Sequence, residues 1–192
     1  MNNEEIMDVL LKRHAVLKGH FQLTSGRHSD TYCQCARLCE YPKDTNLLAG
    51  EAVQRLPQDI EIDGVIAPAV GGLVFGYAIA SALDKRFIFA ERVNGAMTLR
   101  RAFEIMPGEK FLVAEDVVTT GGSVQEVIEV VEAAGGSVEG IVSLIDRGGD
   151  KKFSKPFYPL LALDIKSWEA SECSLCEEGV ELYSPGSRRI AQ

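Results

Sequence analysis

The sequence predicts an α/β protein with a mostly parallel, twisted sheet flanked by helices, and two observations support this prediction. From residue 62 onward, short apolar runs alternate with segments of helical spacing. Two of the apolar runs, 62–67 and 111–114, lead into glycine-rich turns that are followed at once by a helical pattern. Because repeated strand–turn–helix segments form βαβ units, the strands should lie mostly parallel.

The N-terminal part of the chain should form two helices separated by a polar segment. Apolar residues within 6–17 keep helical spacing, and Gly19 is placed to end that helix. Residues 20–39 begin with a polar, turn-rich stretch and continue as a mixed segment. A second helix, capped at 44 or 45, should follow and end before Pro57.

The rest of the chain should supply the sheet and its covering helices. Buried strands are expected at 62–67, 87–90, 111–114, 138–145 and 160–165. Helices should follow the first and third of these strands, at 73–82 and 122–134, with the acids of the second helix, Glu126 among them, facing solvent. The polar segment 92–103 should form a long hairpin or a mobile loop.

The composition fits one domain and excludes several classes of function. The 192 residues, 46% of them hydrophobic, can build a full core. Residues 1–40 and about 160–192 fall outside the alternation and are expected to form a small cap over a core at about 41–159. A formal net charge of −8 opposes nucleic-acid binding. Every apolar run is shorter than the ~18 residues of a membrane span, so a cytoplasmic enzyme is expected.

The stretch 111–123, FLVAEDVVTTGGS, carries most of the functional information. A buried strand leads through two acids, Glu115 and Asp116, into a turn with three hydroxyl groups and two glycines at 119–123. Such a turn at a helix N-terminus offers N–H groups and the positive end of the helix dipole to one phosphate. The carboxylates cannot serve a phosphate, but they suit neutral hydroxyl groups or a cation. One ligand that needs both is a sugar phosphate.

Other glycine-rich sites fit this stretch less well. A Walker loop needs a lysine, which is absent from the turn. A dinucleotide fingerprint needs three spaced glycines directly after the strand, where this sequence has acids. A plain helix start capped by Thr120 or Ser123 explains only one of the hydroxyl groups. The complete set of side chains therefore favours a ligand site.

Several segments resemble the orotate phosphoribosyltransferases, which belong to the type I phosphoribosyltransferases. Residues 111–123 resemble the motif that binds phosphoribosyl pyrophosphate (PRPP) in the type I enzymes. Residues 19–30, GHFQLTSGRHSD, are similar to the G-x-F-x-L-x-S-G-x-x-S segment of the orotate enzymes, and 67–72, APAVGG, resemble their pyrophosphate loop. Residues 144–147, LIDR, resemble the strand end that carries an orotate-binding arginine. The tail, with CSLCEEG followed by SPGSRR, looks like one bacterial and archaeal branch.

This resemblance implies a fold, a reaction and an assembly. The fold would be that of a type I phosphoribosyltransferase with a hood made by the chain ends. The reaction would transfer the 5-phosphoribosyl group from PRPP to orotate in pyrimidine biosynthesis, with Mg²⁺ carried by PRPP rather than by protein side chains. The assembly would be a homodimer in which segment 91–103 reaches the neighbouring site. A purine-type phosphoribosyltransferase and a PRPP-binding regulator without catalysis stay open as alternatives.

The resemblance also assigns roles to individual residues. Contacts with PRPP would come from Glu115, Asp116, Val117, Val118, Thr119, Thr120, Gly121, Gly122, Ser123, Ala69, Val70, Gly71 and Gly72. Orotate would contact Thr119, Tyr32 and Arg147, whose planar guanidinium suits a carboxylate. The catalytic cation for the leaving pyrophosphate would be Arg92.

Three positions or segments depart from the pattern of the family. Thr24 and Gly71 stand where many orotate transferases have lysine. Segment 91–103 contains neither lysine nor histidine, although the corresponding loop of most members is rich in both. Arg100 and Arg101 in that segment are expected to face solvent.

The five cysteines do not suggest a disulfide framework. Cys173 and Cys176 have the spacing of half a zinc site, whose other half would have to come from Cys33 and Cys35 or from a partner chain. One such pair is a weak signal, so reduced thiols in a turn are expected. His28 is expected to be a solvated turn histidine.

Overall fold

The computed structural model describes residues 1–23, 25–149, 151 and 153–185. The helices are α1 Asn3–Lys12, α2 Ala36–Cys39, α3 Pro42–Gln54, α4 Gly72–Leu83, α5 Gly122–Ala133 and α6 Ser174–Glu177. The strands are β1 Val16–Gln22, β2 His28–Cys33, β3 Gly64–Pro68, β4 Arg86–Val93, β5 Ala96–Leu99, β6 Lys110–Val118, β7 Ser137–Asp146, β8 Phe157–Ala162 and β9 Ser167–Trp168.

The central sheet has six strands in the order β5-β4-β3-β6-β7-β8. β5 runs antiparallel to β4, and all other neighbouring strands are parallel. The predicted α/β class with a mostly parallel sheet is therefore confirmed. The hairpin of β4 and β5 also confirms the first of the two structures expected for segment 92–103.

The sheet separates two apolar clusters, which together form the core. Val65 of β3 and Leu112 of β6 pack in one cluster with residues of α3 and α4. Ile66 and Val113, the next residues along the same strands, pack in the other cluster with residues of α5. This alternation follows the period of two in a strand. Helices α4 and α5 therefore cover opposite faces of the sheet.

A second, antiparallel sheet joins the two ends of the chain. Its strand order is β1-β2-β9, and an isolated bridge connects Phe21 of β1 to Tyr183. The N-terminal hairpin is thereby tied to the segment that follows β8. The division of the chain into a cap and a core, with boundaries near 40 and 160, stays a prediction.

The first helix is shorter than its apolar spacing predicted. α1 ends at Lys12, and His14 has a left-handed φ of 55° that a helix cannot accommodate. The Ala15 N–H donates to Leu10 O (2.9 Å), which closes the helix end and releases the chain into β1. Gly19 lies inside β1, where the register with β2 shifts, and does not end a helix.

Two other element boundaries differ from expectation. α3 begins at Pro42, because the fixed φ of proline suits the first helical position. The expected cap at 44 or 45 is wrong, because the N-cap residue is Tyr41 and no side chain among the described residues caps the helix. Asp44 pairs with Arg13, and the Thr45 hydroxyl donates to backbone carbonyls. β6 extends to Val118, because it continues to pair with β7 beyond its apolar residues. The two acids therefore stand on a strand.

His28 is buried, so the expectation of a solvated turn histidine is wrong. This residue begins β2, where it pairs with Gln22 on one side and Trp168 on the other. Its side chain is only 4% exposed and lies against His20, which is 3% exposed. Within the described part of the chain, the helices are all too short or too polar to cross a bilayer.

Candidate active site

The candidate site residues follow strands whose carboxyl ends share one edge of the sheet. β3 and β6 are parallel neighbours, and their following helices lie on opposite faces. Successive strands are added to the sheet in one direction after β3 and in the other after β6, so the strand order reverses between them. In open α/β sheets, ligands bind outside the carboxyl ends of the strands at such a switch point. Two hydrogen bonds fix the geometry: Ala69 N–H donates to Ala90 O (2.7 Å), and Arg147 N–H donates to Val118 O (2.9 Å).

The glycines of turn 69–72 lie directly against the two acids. A Cβ atom on Gly71 would lie 2.9 Å from Asp116 Oδ1, and one on Gly72 would lie 3.0 Å from Glu115 Oε1. Real Cβ atoms do not tolerate such approaches without movement of a neighbour. Glycine therefore lets the turn after β3 contact the acids of β6, and it leaves the backbone of this turn open to a ligand. Gly71 stands where many family members have lysine, and a side chain here would meet Asp116.

The two acids differ in their surroundings. Glu115 is 7% exposed, and its Oε1 atom accepts a hydrogen bond from Asp116 N–H (3.1 Å). Asp116 is half-buried, and its Oδ1 atom accepts from Val117 N–H (2.8 Å). Burial, and after it the charge of Asp116, raise the pKa of Glu115 far above its usual range. We therefore expect the Glu115 carboxyl of the ligand-free protein to be protonated near neutral pH, where it could donate a hydrogen bond.

We expect Glu115→Gln to stabilise the ligand-free protein above pH 5. Between the unfolded pKa of about 4.3 and the raised folded pKa, the native state holds more protons than the unfolded state. Stability contributed by protonated Glu115 is therefore present at low pH and is lost as the pH rises through the folded pKa. The neutral amide removes this loss, so the gain in Tm should grow from pH 5 to pH 9, by about 2–4 °C for each kcal/mol.

Thermal unfolding of both proteins across this pH range checks the expectation. Glu181→Gln serves as the control, because it alters an exposed carboxylate and should leave the Tm unchanged throughout. A Tm difference for Glu115→Gln that stayed constant with pH would contradict the assignment of a protonated Glu115.

The turn after β6 forms a cavity at the start of α5. The cavity measures about 370 Å³ and is lined by Arg92, Glu115, Val117, Val118, Thr119, Thr120, Gly121, Gly122, Ser123, Val124 and Glu126. Gly121 has a φ of 80°, a left-handed conformation that suits glycine, and it places the next residue at the helix start. The first N–H groups of a helix have no partner within it, so they face the cavity.

The hydroxyl groups of this turn do not cap α5. The N-cap residue is Gly121, and no side-chain hydrogen bond caps the helix, so the alternative expectation of a cap by Thr120 or Ser123 is wrong. Both hydroxyl groups line the cavity instead. Free backbone N–H groups, hydroxyl groups and the helix dipole together provide the donors and the positive potential that suit one phosphate.

Arg92 lies in this cavity and not at the turn after β3. Its guanidinium pairs with the carboxylate of Glu126 on α5, at 2.7 Å and 2.8 Å. Glu126, expected on the solvent face of its helix, is thus turned toward β4. Arg100 and Arg101 both pair with Glu91 and are mostly exposed, as expected for a solvated face.

A second cavity lies beside the first and is larger. It measures about 550 Å³ and is lined by Leu23, Ser25, Arg27, Tyr32, Cys33, Thr119, Arg147, Gly148, Gly149, Ile165 and Ser167. It brings together the three residues expected to contact orotate, namely Tyr32, Thr119 and Arg147. Among the residues described, none accepts a hydrogen bond from the buried Arg147 Nε atom. An unpaired guanidinium nitrogen in a polar cavity suits an anionic ligand group.

Arg27 and Ser167 are two polar residues of this second cavity that sequence reasoning did not assign to the site. Arg27 donates to Ser167 through Nε (3.0 Å, to Oγ) and through its terminal nitrogen (2.7 Å, to the carbonyl), and it forms an ion pair with Glu169. Arg27 lies within segment 19–30, which resembles a segment of the orotate enzymes, so the sequence could have indicated that it lies at the site. Ser167 had no such signal, because it reaches the cavity only through the pairing of β9 with β2. Thr24, one of the departures from the family, lies outside the described residues.

Comparisons with known proteins agree with this geometry. The family model for the phosphoribosyl transferase domain matches residues 43–175. The orotate phosphoribosyltransferase of Caldanaerobacter subterraneus subsp. tengcongensis is 46% identical over 191 residues, which cover 99% of this chain and all of that protein. The enzyme of the same name from Thermotoga maritima is 46% identical over 186 residues, with coverage of 96% and 99%.

A solved structure is similar in fold as well. The crystal structure of orotate phosphoribosyltransferase from Aeropyrum pernix superposes with a TM-score of 0.72 at 27% identity. The superposition covers 82% of this chain and 93% of that chain. From its family match, its near-complete relatives and its fold, the chain belongs to the phosphoribosyltransferase family and, within it, to the orotate phosphoribosyltransferases.

Proposed function

We propose that the chain transfers the 5-phosphoribosyl group from PRPP to orotate, giving orotidine 5′-monophosphate and pyrophosphate in pyrimidine biosynthesis. The observation that carries the proposal is that Thr119 lines both cavities. A ribose phosphate held by the first cavity would therefore present its C1 atom toward the second. The nearly full-length relatives named for this activity support the same function.

On the PRPP side, each polar group has a matching partner in the ligand. The turn at 119–123 would bind the 5′-phosphate through N–H and hydroxyl groups. Glu115 and Asp116 would bind the ribose 2′- and 3′-hydroxyl groups, which a protonated and a charged carboxyl can do as donor and acceptor. The backbone of 69–72, held against these acids by its glycines, would then face the pyrophosphate.

On the base side, Arg147 favours orotate over a purine. The guanidinium of the half-buried Arg147, whose Nε atom has no partner among the described residues, would bind the carboxylate of orotate, a group that purine bases lack. Tyr32, whose hydroxyl donates to Gln34 Oε1 (3.0 Å), would place its ring against the planar base. A polar cavity of about 550 Å³ leaves room for this base.

The reaction needs positioning and charge rather than a protein nucleophile. Displacement at C1 of the ribose passes through an oxocarbenium-like state, and the attacking ring nitrogen of orotate is easily made anionic. Groups that hold both substrates in line, and cations that face the leaving group, lower the barrier. Arg92 lines the cavity of the 119–123 turn, so after releasing Glu126 it would bind phosphate oxygens of PRPP there. To face the leaving pyrophosphate, its guanidinium would have to move toward turn 69–72.

The residues at this edge suit an Mg²⁺ ion that arrives with PRPP. Among the described residues of turn 69–72 no side chain is cationic, so little here offsets the charge of a pyrophosphate. When bound to the pyrophosphate, Mg²⁺ would neutralise part of the leaving-group charge.

A turnover assay with PRPP and Mg²⁺ tests the proposed function. Orotate, adenine, hypoxanthine and xanthine are offered separately, and pyrophosphate release is followed. We expect release with orotate alone, and a clear fall in kcat for Arg92→Ala. Release with a purine but not with orotate would show a purine-type enzyme. Binding of PRPP without release with any base would show a regulator.

We also propose that the chain forms a homodimer in which segment 91–103 of one copy lies near the site of the other. The support is an apolar stripe beside the site: Val70, Val74 and Tyr77 are 80%, 46% and 64% exposed and recur at helical spacing. Such a stripe on an otherwise polar surface marks a contact with another protein. The exposed Arg100 and Arg101 would then be available to the partner.

Tyr77→Lys should convert the dimer to a monomer, because it places a charge within the stripe in place of its largest side chain. Sedimentation equilibrium gives the mass directly. Leu47→Lys is the matched control, since it introduces the same charge at an exposed apolar residue of α3 and should leave the dimer intact. A wild-type protein that sediments as a monomer at assay concentrations would refute the homodimer.

A further inference from the structure

Four side chains from opposite ends of the chain converge outside the two cavities. They are His20 of β1, His28 of β2, Cys173, which immediately precedes α6, and Cys176, which lies within α6. One nitrogen or sulfur atom of each lies within 4.8 Å of those of the other three. The sequence indicated only the cysteine pair, with Cys33 and Cys35 or a partner chain as the source of further ligands. The structure places two histidines of the same chain there instead.

The distances among these atoms match the edges of a small tetrahedron. His20 Nε2 lies 3.0 Å from His28 Nδ1, 3.4 Å from Cys173 Sγ and 3.7 Å from Cys176 Sγ. His28 Nδ1 lies 3.3 Å from Cys176 Sγ. Zinc bonds of about 2.0–2.1 Å to nitrogen and 2.3 Å to sulfur place tetrahedral ligands about 3.3–3.8 Å apart. Four of the six distances therefore lie within about 0.4 Å of these values. The other two do not exceed 4.8 Å, so side-chain movements of about 1 Å or less would close the cluster around the ion.

A hydrogen bond to the backbone orients His20 for binding a metal ion. Its Nδ1 atom lies 2.9 Å from Val180 O, and because a carbonyl can only accept, Nδ1 carries the hydrogen. The Nε2 atom of the neutral ring therefore turns a lone pair toward the other three side chains. An outer hydrogen bond of this kind is the usual means of fixing a metal-binding histidine. A hydrogen bond between the two rings explains one of the contacts, whereas a metal ion explains all four.

We propose that His20, His28, Cys173 and Cys176 bind one structural Zn²⁺ ion. Two thiolates and two imidazoles are the donor set that zinc prefers in closed tetrahedral sites. All four positions are taken by protein side chains, and three of them are buried, so no position is open to a substrate. The ion would serve the fold and not the reaction.

The position of the cluster indicates what the ion would hold in place. It joins the β1–β2 hairpin to the segment after β9, which are about 150 residues apart in the sequence. The same hairpin and β9 carry Ser25, Arg27 and Ser167, which line the cavity of Arg147. Zinc would therefore tie together the walls of the proposed base site.

The metal content of the purified wild-type protein tests this proposal without any variant. Elemental mass spectrometry should find about one zinc ion per chain, as a closed site implies. After removal of zinc with a chelator, Co²⁺ should restore one ion per chain and give thiolate charge-transfer absorption and the intense visible bands of a tetrahedral site. The Tm should fall on chelation and recover with either metal.

Matched variants assign the ligands. Cys176→Ser and His28→Asn should reduce bound zinc at least about tenfold, whereas Cys39→Ser and His14→Asn, which alter a thiol and a histidine outside the cluster, should keep it. A chain that stays free of metal in the presence of excess Zn²⁺ would overturn the proposal. A disulfide between Cys173 and Cys176 in the protein purified under reducing conditions would overturn it as well.

Discussion

Asp116→Asn should lower kcat/KM for PRPP by roughly 10²–10³-fold, the usual cost of removing one preorganised polar group at a reacting centre. Asparagine keeps the size of the side chain and can keep the hydrogen bond that Oδ1 accepts from Val117 N–H. The turn should therefore stay folded, while the charged acceptor for a ribose hydroxyl is lost. Steady-state kinetics with varied PRPP, together with calorimetric PRPP binding, measures the effect.

The control for this change is Asp59→Asn. Asp59 is exposed and precedes β3, so it stands at the opposite edge of the sheet from the carboxyl ends of the strands. The Asp59→Asn substitution should leave both kcat/KM and PRPP binding unchanged. An Asp116→Asn protein with wild-type kinetics would remove this acid from the ribose site, even if the rest of the phosphate turn kept its role.

Arg147→Ala should raise the KM for orotate by about 10- to 150-fold. This range corresponds to about 1.5–3 kcal/mol, the contribution of a hydrogen bond to a charged group. PRPP binding should be unaffected, because Arg147 lines only the second cavity. Arg147→Lys should recover only part of the loss, since an ammonium group cannot bind a carboxylate with two parallel N–H groups.

Because Arg147→Ala should raise the KM for orotate and not that for PRPP, its effect can be distinguished from a loss of folding. Arg37→Ala removes an exposed arginine that pairs with Glu40 within one helix turn, and it should leave the orotate KM unchanged. Kinetics for Arg147→Ala in which the KM values for PRPP and orotate rose equally would point to a damaged fold. An unchanged orotate KM would remove Arg147 from the base site.

The phosphate turn could be predicted from the sequence because all of its parts are local. Strand, acids, turn and helix follow one another within about twenty residues, so each side chain is placed by its neighbours in the chain. The same holds for the turn after β3. What the sequence did not indicate is that these turns touch, with Gly71 against Asp116. That contact depends on the pairing of β3 with β6, which are separated by about forty residues.

Predictions failed where an unusual backbone conformation or a distant part of the chain decides the structure. The helical spacing from Ile6 to Leu17 was interrupted by the left-handed backbone of His14, which no apolar pattern reveals. Glu126 looked like a solvent-facing acid until β4 brought Arg92 beside it. The pair Cys173 and Cys176 gave a weak signal because its two histidine neighbours lie about 150 residues earlier. For Glu126 and for the cysteine pair, the local pattern gave no information about the side chains that a distant segment places beside them.

A crystal structure with orotidine 5′-monophosphate tests the central claim most directly. The account predicts the 5′-phosphate within hydrogen-bond distance of the N–H and hydroxyl groups of 119–123, and the ribose hydroxyl groups on Glu115 and Asp116. The orotate carboxylate should lie on Arg147 in the neighbouring cavity. A nucleotide bound with its phosphate elsewhere, and with the turn at 119–123 making no contact to it, would contradict the account.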